Sequence, residues 1–405
     1  MRFRTLSPAG TPIPWRYFFY LISGFLQPQK ELQKFRKKIC EKFGVKHCFL
    51  MNTGRSAMTL ILQSLFEIDG RRRDEIIIPS YTCYSVPASV IKAGLKLRIA
   101  DIDPDTLSLD IDFLRKIDMK NVLAIIATSL YGLPNDLPNL QSFTDANDVY
   151  LIDDSAQSMG ARIDNQYCGT FGVAGLYSLD KGKSLTTLNG GVITTDNDRL
   201  ANIINSKVNK LRKPSVITIL IQIIKLVIYK IFLYPPLYWI PNSIPMTKLG
   251  KSYYDVSFAV EGYPAAMAGL GKRLIDDLDD INSIRTAHAY YYRDRMNDLQ
   301  TIRLFKAKKY SNPSFTRLPI KVLNKGHRDR IIKSLSDLGL GISTSYPESL
   351  IDLPEIQPFL ISDNQHLKNG RSIAQQILTL PTHSYVTKND MDFILLKLNK
   401  LFIRN

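Results

Sequence analysis

The 405 residues are 45% hydrophobic and 22% charged, enough to bury a sizeable core and to form two domains. The formal net charge of +16 asks for an acidic partner, yet Arg71-Arg72-Arg73 is only a short loop cluster and no base-reading motif joins it, so no specific nucleic-acid binding is expected. Cys40, Cys48, Cys83 and Cys168 match no zinc or redox spacing, and His47, His288, His327, His366 and His383 form no metal-type cluster, so free thiols and no metal site are expected.

Along the chain, basic residues precede the apolar stretch Trp15 to Leu26. Prolines precede it, no small-residue cleavage site follows, and it is too short to span a bilayer. A packed or interfacial helix is predicted there. From Gln29 to Phe43, Leu32, Phe35, Ile39 and Phe43 recur at helical spacing with lysines between. Residues 47–66 read as a short strand, a tight glycine turn and an apolar helix. Residues 74–83 give a buried strand ended by Pro79, and 90–103 a helix end followed by a strand. Residues 122–132 and 149–155 are two more apolar strands with polar C-terminal ends. Strands alternating with helices predict an α/β fold with a mostly parallel sheet covered on both faces. Sites in such sheets gather at the C-terminal ends of strands.

Residues 214–241, PSVITILIQIIKLVIYKIFLYPPLYWIP, have an apolar part nearly long enough for a membrane span, but Gln222, Lys225 and Lys230 interrupt it. Thr218, Gln222, Lys225 and Tyr229 make one polar stripe on a helix. Tyr234, Tyr238 and Trp239 follow, and Arg212, Lys213, Lys248 and Lys251 flank the stretch. Two readings stay open: an in-plane amphipathic helix with an aromatic hairpin on an anionic membrane surface, or a helix buried in a dimer contact or the core. Beyond Tyr253 the character changes. Leu274 to Met296 reads as a long charged helix, and a smaller C-terminal α+β domain begins near 255. The expected division is an N-terminal arm, 1–28; a large α/β domain, 29–213; the apolar insertion, 214–254; and a small domain, 255–405.

Two segments carry chemistry. YSLDKGKSLTTLNGG (177–191) offers lysines beside small hydroxylated residues and a Gly-Gly turn, and VYLIDDSAQSMGA (149–161) puts carboxylates at a strand end. Pyridoxal phosphate needs that pair, a lysine for a Schiff base with its aldehyde and a carboxylate to keep its ring nitrogen protonated. Asp153 and Asp154 compete for the second role, and strand alternation lets only one face the cofactor. Lys181 and Lys183 compete for the first. Asn52-Thr53-Gly54-Arg55-Ser56 opens a helix after a strand, where backbone N–H groups and the positive helix end suit a phosphate. Gly54 permits close approach and Ser56 can add a hydroxyl.

In order, these pieces resemble the DegT/DnrJ family of pyridoxal-phosphate-dependent aminotransferases, across roughly 29–205 with a weaker echo in the C-terminal third. The family's GT-x-A helix opening appears as Gly54-Arg55-Ser56-Ala57, its Asp-x-Ala-Gln strand end as Asp154-Ser155-Ala156-Gln157, and its lysine motif as Tyr177-Ser178-Leu179 running to Lys183 and Gly190-Gly191. The resemblance implies the fold-type I architecture. It selects Lys183 over Lys181 and Asp154 over Asp153 as catalytic residues, and places Gln157 and Ser178 near the cofactor. It also implies a homodimer, a glutamate amino donor, a keto sugar on a nucleotide as acceptor, and an enzyme of surface polysaccharide synthesis; a cytoplasmic location is expected, and the composition of 214–241 adds the expectation of peripheral contact on the inner membrane face. A branch of the family carries histidine for this lysine and removes a sugar hydroxyl; Lys183 argues against that chemistry. Departures occur where relatives place an aromatic over the ring, since Cys83 holds that position beside Tyr84 and either could cover the face. The family's His-x-x-Gly reads Ser129-Leu130-Tyr131-Gly132, and its arginine and glutamine at the small-domain entry are lost in 259–266. The rival reading is a membrane-surface protein that keeps the fold but is inactive, or one that acts on a lipid-linked acceptor.

Overall fold

The computed structural model describes residues 4–243, 253–296, 301–336, 338–361 and 367–403. Its centre is a seven-stranded sheet whose strands we number in chain order: β1 (His47–Met51), β2 (Glu75–Pro79), β3 (Lys96–Ala100), β4 (Val122–Thr128), β5 (Tyr150–Asp154), β6 (Ala174–Ser178) and β7 (Gly191–Thr195). Their spatial order is β1-β7-β6-β5-β4-β2-β3. From β6 to β3 neighbouring strands are parallel, and β7 alone runs antiparallel to both its neighbours. The fold is α/β with a mostly parallel central sheet, as expected.

The period of two along each strand splits the core. Ile76, Ile78, Ala124, Ile126 and Ile152 enter one hydrophobic cluster, while Ile77, Ile125, Ala127 and Leu151 enter another on the opposite face. Both faces must therefore be covered. Leu137–Ala146 packs on the second face through Leu137 and Leu140. On the first lie Gly54–Ile68 and Ser85–Lys92. That same cluster continues into a three-stranded antiparallel sheet of Ile302–Leu304, Arg317–Val322 and Ile377–Pro381. A third cluster joins Phe35, Ile39 and Phe43 of helix Pro28–Phe43 to Ile13, Tyr17, Leu226 and Leu270.

Local sequence accounts for the ends. Gly44 at φ +68° closes Pro28–Phe43, a left-handed position open to glycine without a Cβ clash. Thr53 caps the next helix, its Oγ1 accepting from Ser56 N at 3.1 Å. The long charged helix is interrupted: Ala268–Leu274 passes through a tight turn at Ile275–Asp277 into Leu278–Asp294. All four cysteines are free. His366, Lys248 and Lys251 lie outside the described residues.

The insertion folds as a helix, Val216–Phe232, and it turns part of its polar stripe toward the protein. Gln222 and Tyr229 from the polar stripe turn inward with Leu226, while Ile217, Ile221, Ile224 and Ile228 are exposed. The reason is an interior that offers polar partners. Gln222 Nε2 donates to the Thr187 carbonyl at 3.2 Å, and Tyr229 Oη accepts from Thr11 N at 3.0 Å. Lys230 does not reach outward either; its amine donates to Tyr385 Oη at 3.1 Å. The helix is thus not buried in this chain's core. The aromatic run after it forms helical turns and the short helix Trp239–Asn242 rather than a hairpin. Among the described residues, no helix is long and apolar enough to cross a membrane.

Candidate active site

A cavity of about 180 Å³ opens at the C-terminal ends of the parallel strands. Its wall includes Gly54, Arg55, Cys83, Asp154, Gln157, Ser178 and Lys183, so seven of the nine residues proposed from sequence meet there. Ser56 and Tyr84 are not among the lining residues. Ser56 is buried beneath, its Oγ donating to the Ala259 carbonyl at 3.1 Å. Tyr84 is turned away, hydrogen-bonded to Glu348 N at 3.1 Å with its ring 5.7 Å from that of Tyr346. Of the two candidates at that strand end, it is Cys83 that the cavity meets.

Strand alternation separates the two carboxylates. Asp153 points into the 168–172 loop, accepting from Ser155 Oγ at 2.7 Å and from the N–H groups of Gly169 and Phe171. Asp154 faces the cavity and accepts from Ala156 N at 3.1 Å. Burial pushes the Asp154 carboxyl up to about 6, against the pull of the Ala156 N–H and of the Lys183 ammonium. Burial likewise lifts Asp153 to about 7 despite its three donors.

Lys183 is half-buried on the cavity wall, whereas Lys181 is exposed. The Lys183 backbone is gripped from behind. Its carbonyl accepts from Thr11 Oγ1 and from Arg285 Nη2 at 3.1 Å, and that same nitrogen donates to Gly10 O and Thr11 Oγ1, each at 2.9 Å. Further along the loop, Tyr263 Oη donates to Thr187 Oγ1 at 2.9 Å. The Gly-Gly turn has a steric cause. A Cβ on Gly191 would lie 2.2 Å from the Thr53 carbonyl oxygen, so the turn that opens the phosphate-type helix packs directly on that glycine. Gly54 in turn sits against Ser178, whose Cβ would be 3.3 Å from a Cβ added there.

Several wall residues were not singled out from sequence. Thr128, paired in register with Asp154, and Met58, Ser85 and Ser89 also line the cavity. A smaller cavity of about 60 Å³ shares Gln157 and Lys183 and adds Lys181, Tyr131, Arg317 and Tyr346. Tyr131 stands where the family pattern leaves a free position, with φ +58°, a left-handed backbone that sequence does not display. Gln157 links the two sides, accepting from Tyr131 N at 3.2 Å and donating to Tyr346 Oη at 2.9 Å. A wider open cleft of about 750 Å³ between 103–117 and 136–147 contains none of the residues proposed from sequence.

The donor set fits pyridoxal phosphate. A buried carboxylate at a strand end suits a protonated ring nitrogen, an amine stands on the same wall, and a helix opening at Gly54 and Arg55 with nearby Ser85, Ser89 and Ser178 suits a phosphate. Arg55 is already engaged, its Nη1 3.0 Å from Asp255 Oδ2, so its backbone rather than its side chain is free to serve.

Comparison with known proteins agrees. GDP-4-keto-6-deoxy-D-mannose 3-dehydratase of Yersinia pseudotuberculosis is 30% identical over 178 residues, 43% of this chain and 45% of that protein. L-glutamine:2-deoxy-scyllo-inosose aminotransferase of Streptomyces kanamyceticus is 31% identical over 169 residues, 42% of this chain and 39% of that protein. These matches span less than half of either relative. Over the whole fold, an aminotransferase of Helicobacter pylori involved in pseudoaminic acid biosynthesis superposes with a TM-score of 0.80 at 17% identity, covering 99% of this chain and 100% of that one. The sequence model of the family matches residues 20–215 and 264–399, leaving out the stretch that holds helix Val216–Phe232. The chain belongs to the DegT/DnrJ/EryC1/StrS aminotransferase family.

Proposed function

We propose that the protein is a pyridoxal-phosphate-dependent aminotransferase that moves an amino group from glutamate to a keto group of a nucleotide-linked sugar, for surface polysaccharide synthesis. The observation that carries this reading is the meeting of Lys183, Asp154 and the Gly54–Arg55 helix opening on one cavity wall. Pyridoxal phosphate, when bound, supplies an electron sink for the substrate carbon. Asp154 would hold the proton at the ring nitrogen, and its burial would strengthen that contact by keeping competing water away. Lys183 Nζ would hold the group by its aldehyde and would move a proton on and off the substrate carbon. The Gly54 and Arg55 N–H groups that open helix Gly54–Ile68 would bind the phosphate. Cys83 would cover one side of the ring, and Gln157 fixes the wall between the two cavities.

Dehydration is the second reading, because a relative at 30% identity is a dehydratase. Lys183 opposes it: an amine in that position supports amino transfer, where the dehydratase branch carries histidine. The reading also takes the protein as a cytoplasmic homodimer with the site completed across the interface. Residues 29–213 and 255–405 serve as large and small domain, and 214–241 rests on an anionic membrane surface. Screening keto-sugar nucleotides with labelled glutamate tests the reaction. Label appearing in an amino sugar supports it, and label-free loss of a hydroxyl, or no turnover with any acceptor, refutes it.

A further inference from the structure

The charge of the chain is not evenly spread. Residues 1–30 and 199–254 contain no Asp or Glu and thirteen Lys or Arg, while the rest holds 40 Lys and Arg against 37 Asp and Glu. The net positive charge therefore resides almost wholly in two stretches. The same stretches supply sixteen of the twenty-two large hydrophobic side chains exposed among the described residues, so charge and unburied apolar surface coincide. Phe19 is 73% exposed, Leu26 75% and Ile217 70%.

The two stretches also meet. Trp15 lies under the Lys230 amine, 5.9 Å from its ring centroid, and a Cβ on Gly10 would strike Leu233 at 2.5 Å. Tyr17 and Leu21 from one and Leu226 from the other turn into a single buried cluster, which fixes both helices to the same foundation. Their outward sides are left with Phe19, Ile22 and Leu26 on one helix and Ile217, Ile221, Ile224 and Ile228 on the other. Trp15, Tyr20, Tyr234 and Trp239 are also exposed, and Arg16, Arg212, Lys213 and Lys225 stand in solvent among them.

Extending the membrane reading of 214–241, we propose that the helical segment Trp15–Leu26 and the helix Val216–Phe232 form one docking surface, and that its occupant is an anionic bilayer. Isoleucine, leucine and phenylalanine enter the acyl boundary, tryptophan and tyrosine take the headgroup level, and the lysines and arginines meet lipid phosphates. A second copy of the chain is the weaker occupant. A two-fold contact would set each acid-free, basic surface against itself, with no carboxylate from either stretch to answer it. The underside of the insertion helix reaches the lysine loop directly through Gln222 on Thr187, and through Tyr229 on Thr11 of the N-terminal arm, whose Oγ1 donates to the Lys183 carbonyl. The surface is thereby fixed in orientation relative to the cavity that contains Lys183.

Co-sedimentation of the cofactor-loaded full chain tests this, using vesicles of phosphatidylcholine with phosphatidylglycerol against phosphatidylcholine alone. Phe19→Glu with Leu26→Glu changes one helix, and Ile217→Glu with Ile224→Glu the other. All four side chains are exposed, and cofactor absorbance reports that each variant is folded. The expected result is pelleting of the wild type with anionic vesicles only, and release by either pair with oligomeric state unchanged. Wild type that stays in the supernatant overturns the proposal. Release by the insertion pair but not by the Phe19 and Leu26 pair overturns the two-helix surface and leaves the insertion alone as the membrane contact. Conversion to monomer by either pair, without vesicle binding in the wild type, assigns the face to a second copy. None of these outcomes depends on turnover, so a failed aminotransferase assay is a separate result.

Discussion

At the end of β5, Asp153 and Asp154 take opposite directions because a strand alternates, and one of them reaches the cavity. Along Val216–Phe232 a periodic pattern is equally clear, yet the side it presents inward carries Gln222 and Tyr229 beside Leu226, while Thr218 and Lys225 of the same stripe stay exposed. In the strand, the core is apolar on both faces and the sequence has only one register that fills it. Under the insertion helix lie backbone carbonyl and amide groups of the lysine loop and the N-terminal arm, and these need hydrogen-bond partners more than they need methyl groups. Each isoleucine left outside forgoes about 1.5–3 kcal/mol of burial. Polarity thus tells where a face is distinct, and the chemistry of what lies beneath tells which way it turns.

The largest expected effect breaks the cavity itself. Lys183→Ala is expected to lower turnover by about a hundredfold or more, the scale of a lost proton-transfer group, with Lys181→Ala close to wild type in a steady-state assay. Asp154→Asn retains cofactor and loses nearly all turnover. Asp153→Asn instead leaves a donor conflict at Gly169 N and lowers stability by about 1–3 kcal/mol, read from denaturant unfolding. Equal loss of turnover in both variants would erase the contrast drawn from alternation.

The same pair sets a pH dependence in the cofactor-free protein. Both folded-state values lie above the ordinary 3.8, at about 6 and about 7, so the unfolded chain gives up these protons first as pH rises. Their contribution is fully present below the ordinary value and is lost as pH climbs through about 6 to 7. Thermal midpoints of the cofactor-free protein should fall from about pH 4 up to about pH 7 and level off above it, and Asp154→Asn should flatten the fall. An unchanged profile in Asp154→Asn would place that carboxyl outside the buried wall.

Smaller effects probe the insertion. Gln222→Leu makes the helix more apolar yet removes the bond to Thr187, and the expected cost is about 1 kcal/mol in denaturant unfolding. Lys225→Gln, on the exposed side, should leave stability unchanged. If Gln222→Leu stabilises the protein, the inward polar stripe is not what holds the helix down. An effect of the same size belongs to the cavity's far edge, where Thr53→Ala should cost about 1 kcal/mol through the lost cap on Ser56 N.

The sheet and most of the wall were legible because periodicity, glycine turns and strand-end polarity all describe local geometry. Lys183, Asp154, Gly54 and Cys83 lie within a few residues of such signals, and they meet on one wall. Ser56 and Tyr84 did not, because each is claimed by a distant segment, Ala259 and Glu348, that no local pattern announces. Tyr131 was hidden by a backbone conformation, and Arg285 by its place on a charged helix although it is buried against the Lys183 carbonyl. The insertion's facing depended on partners supplied by residues 11 and 187, far off in sequence.

Reduction of the cofactor-loaded protein with borohydride, followed by peptide mapping, tests the central claim most directly. The account predicts a pyridoxyl group on the Lys183 side chain and none on Lys181, with loss of the label in Lys183→Ala. Label on Lys181, or protein that takes up pyridoxal phosphate without a reducible bond to Lys183, would contradict it.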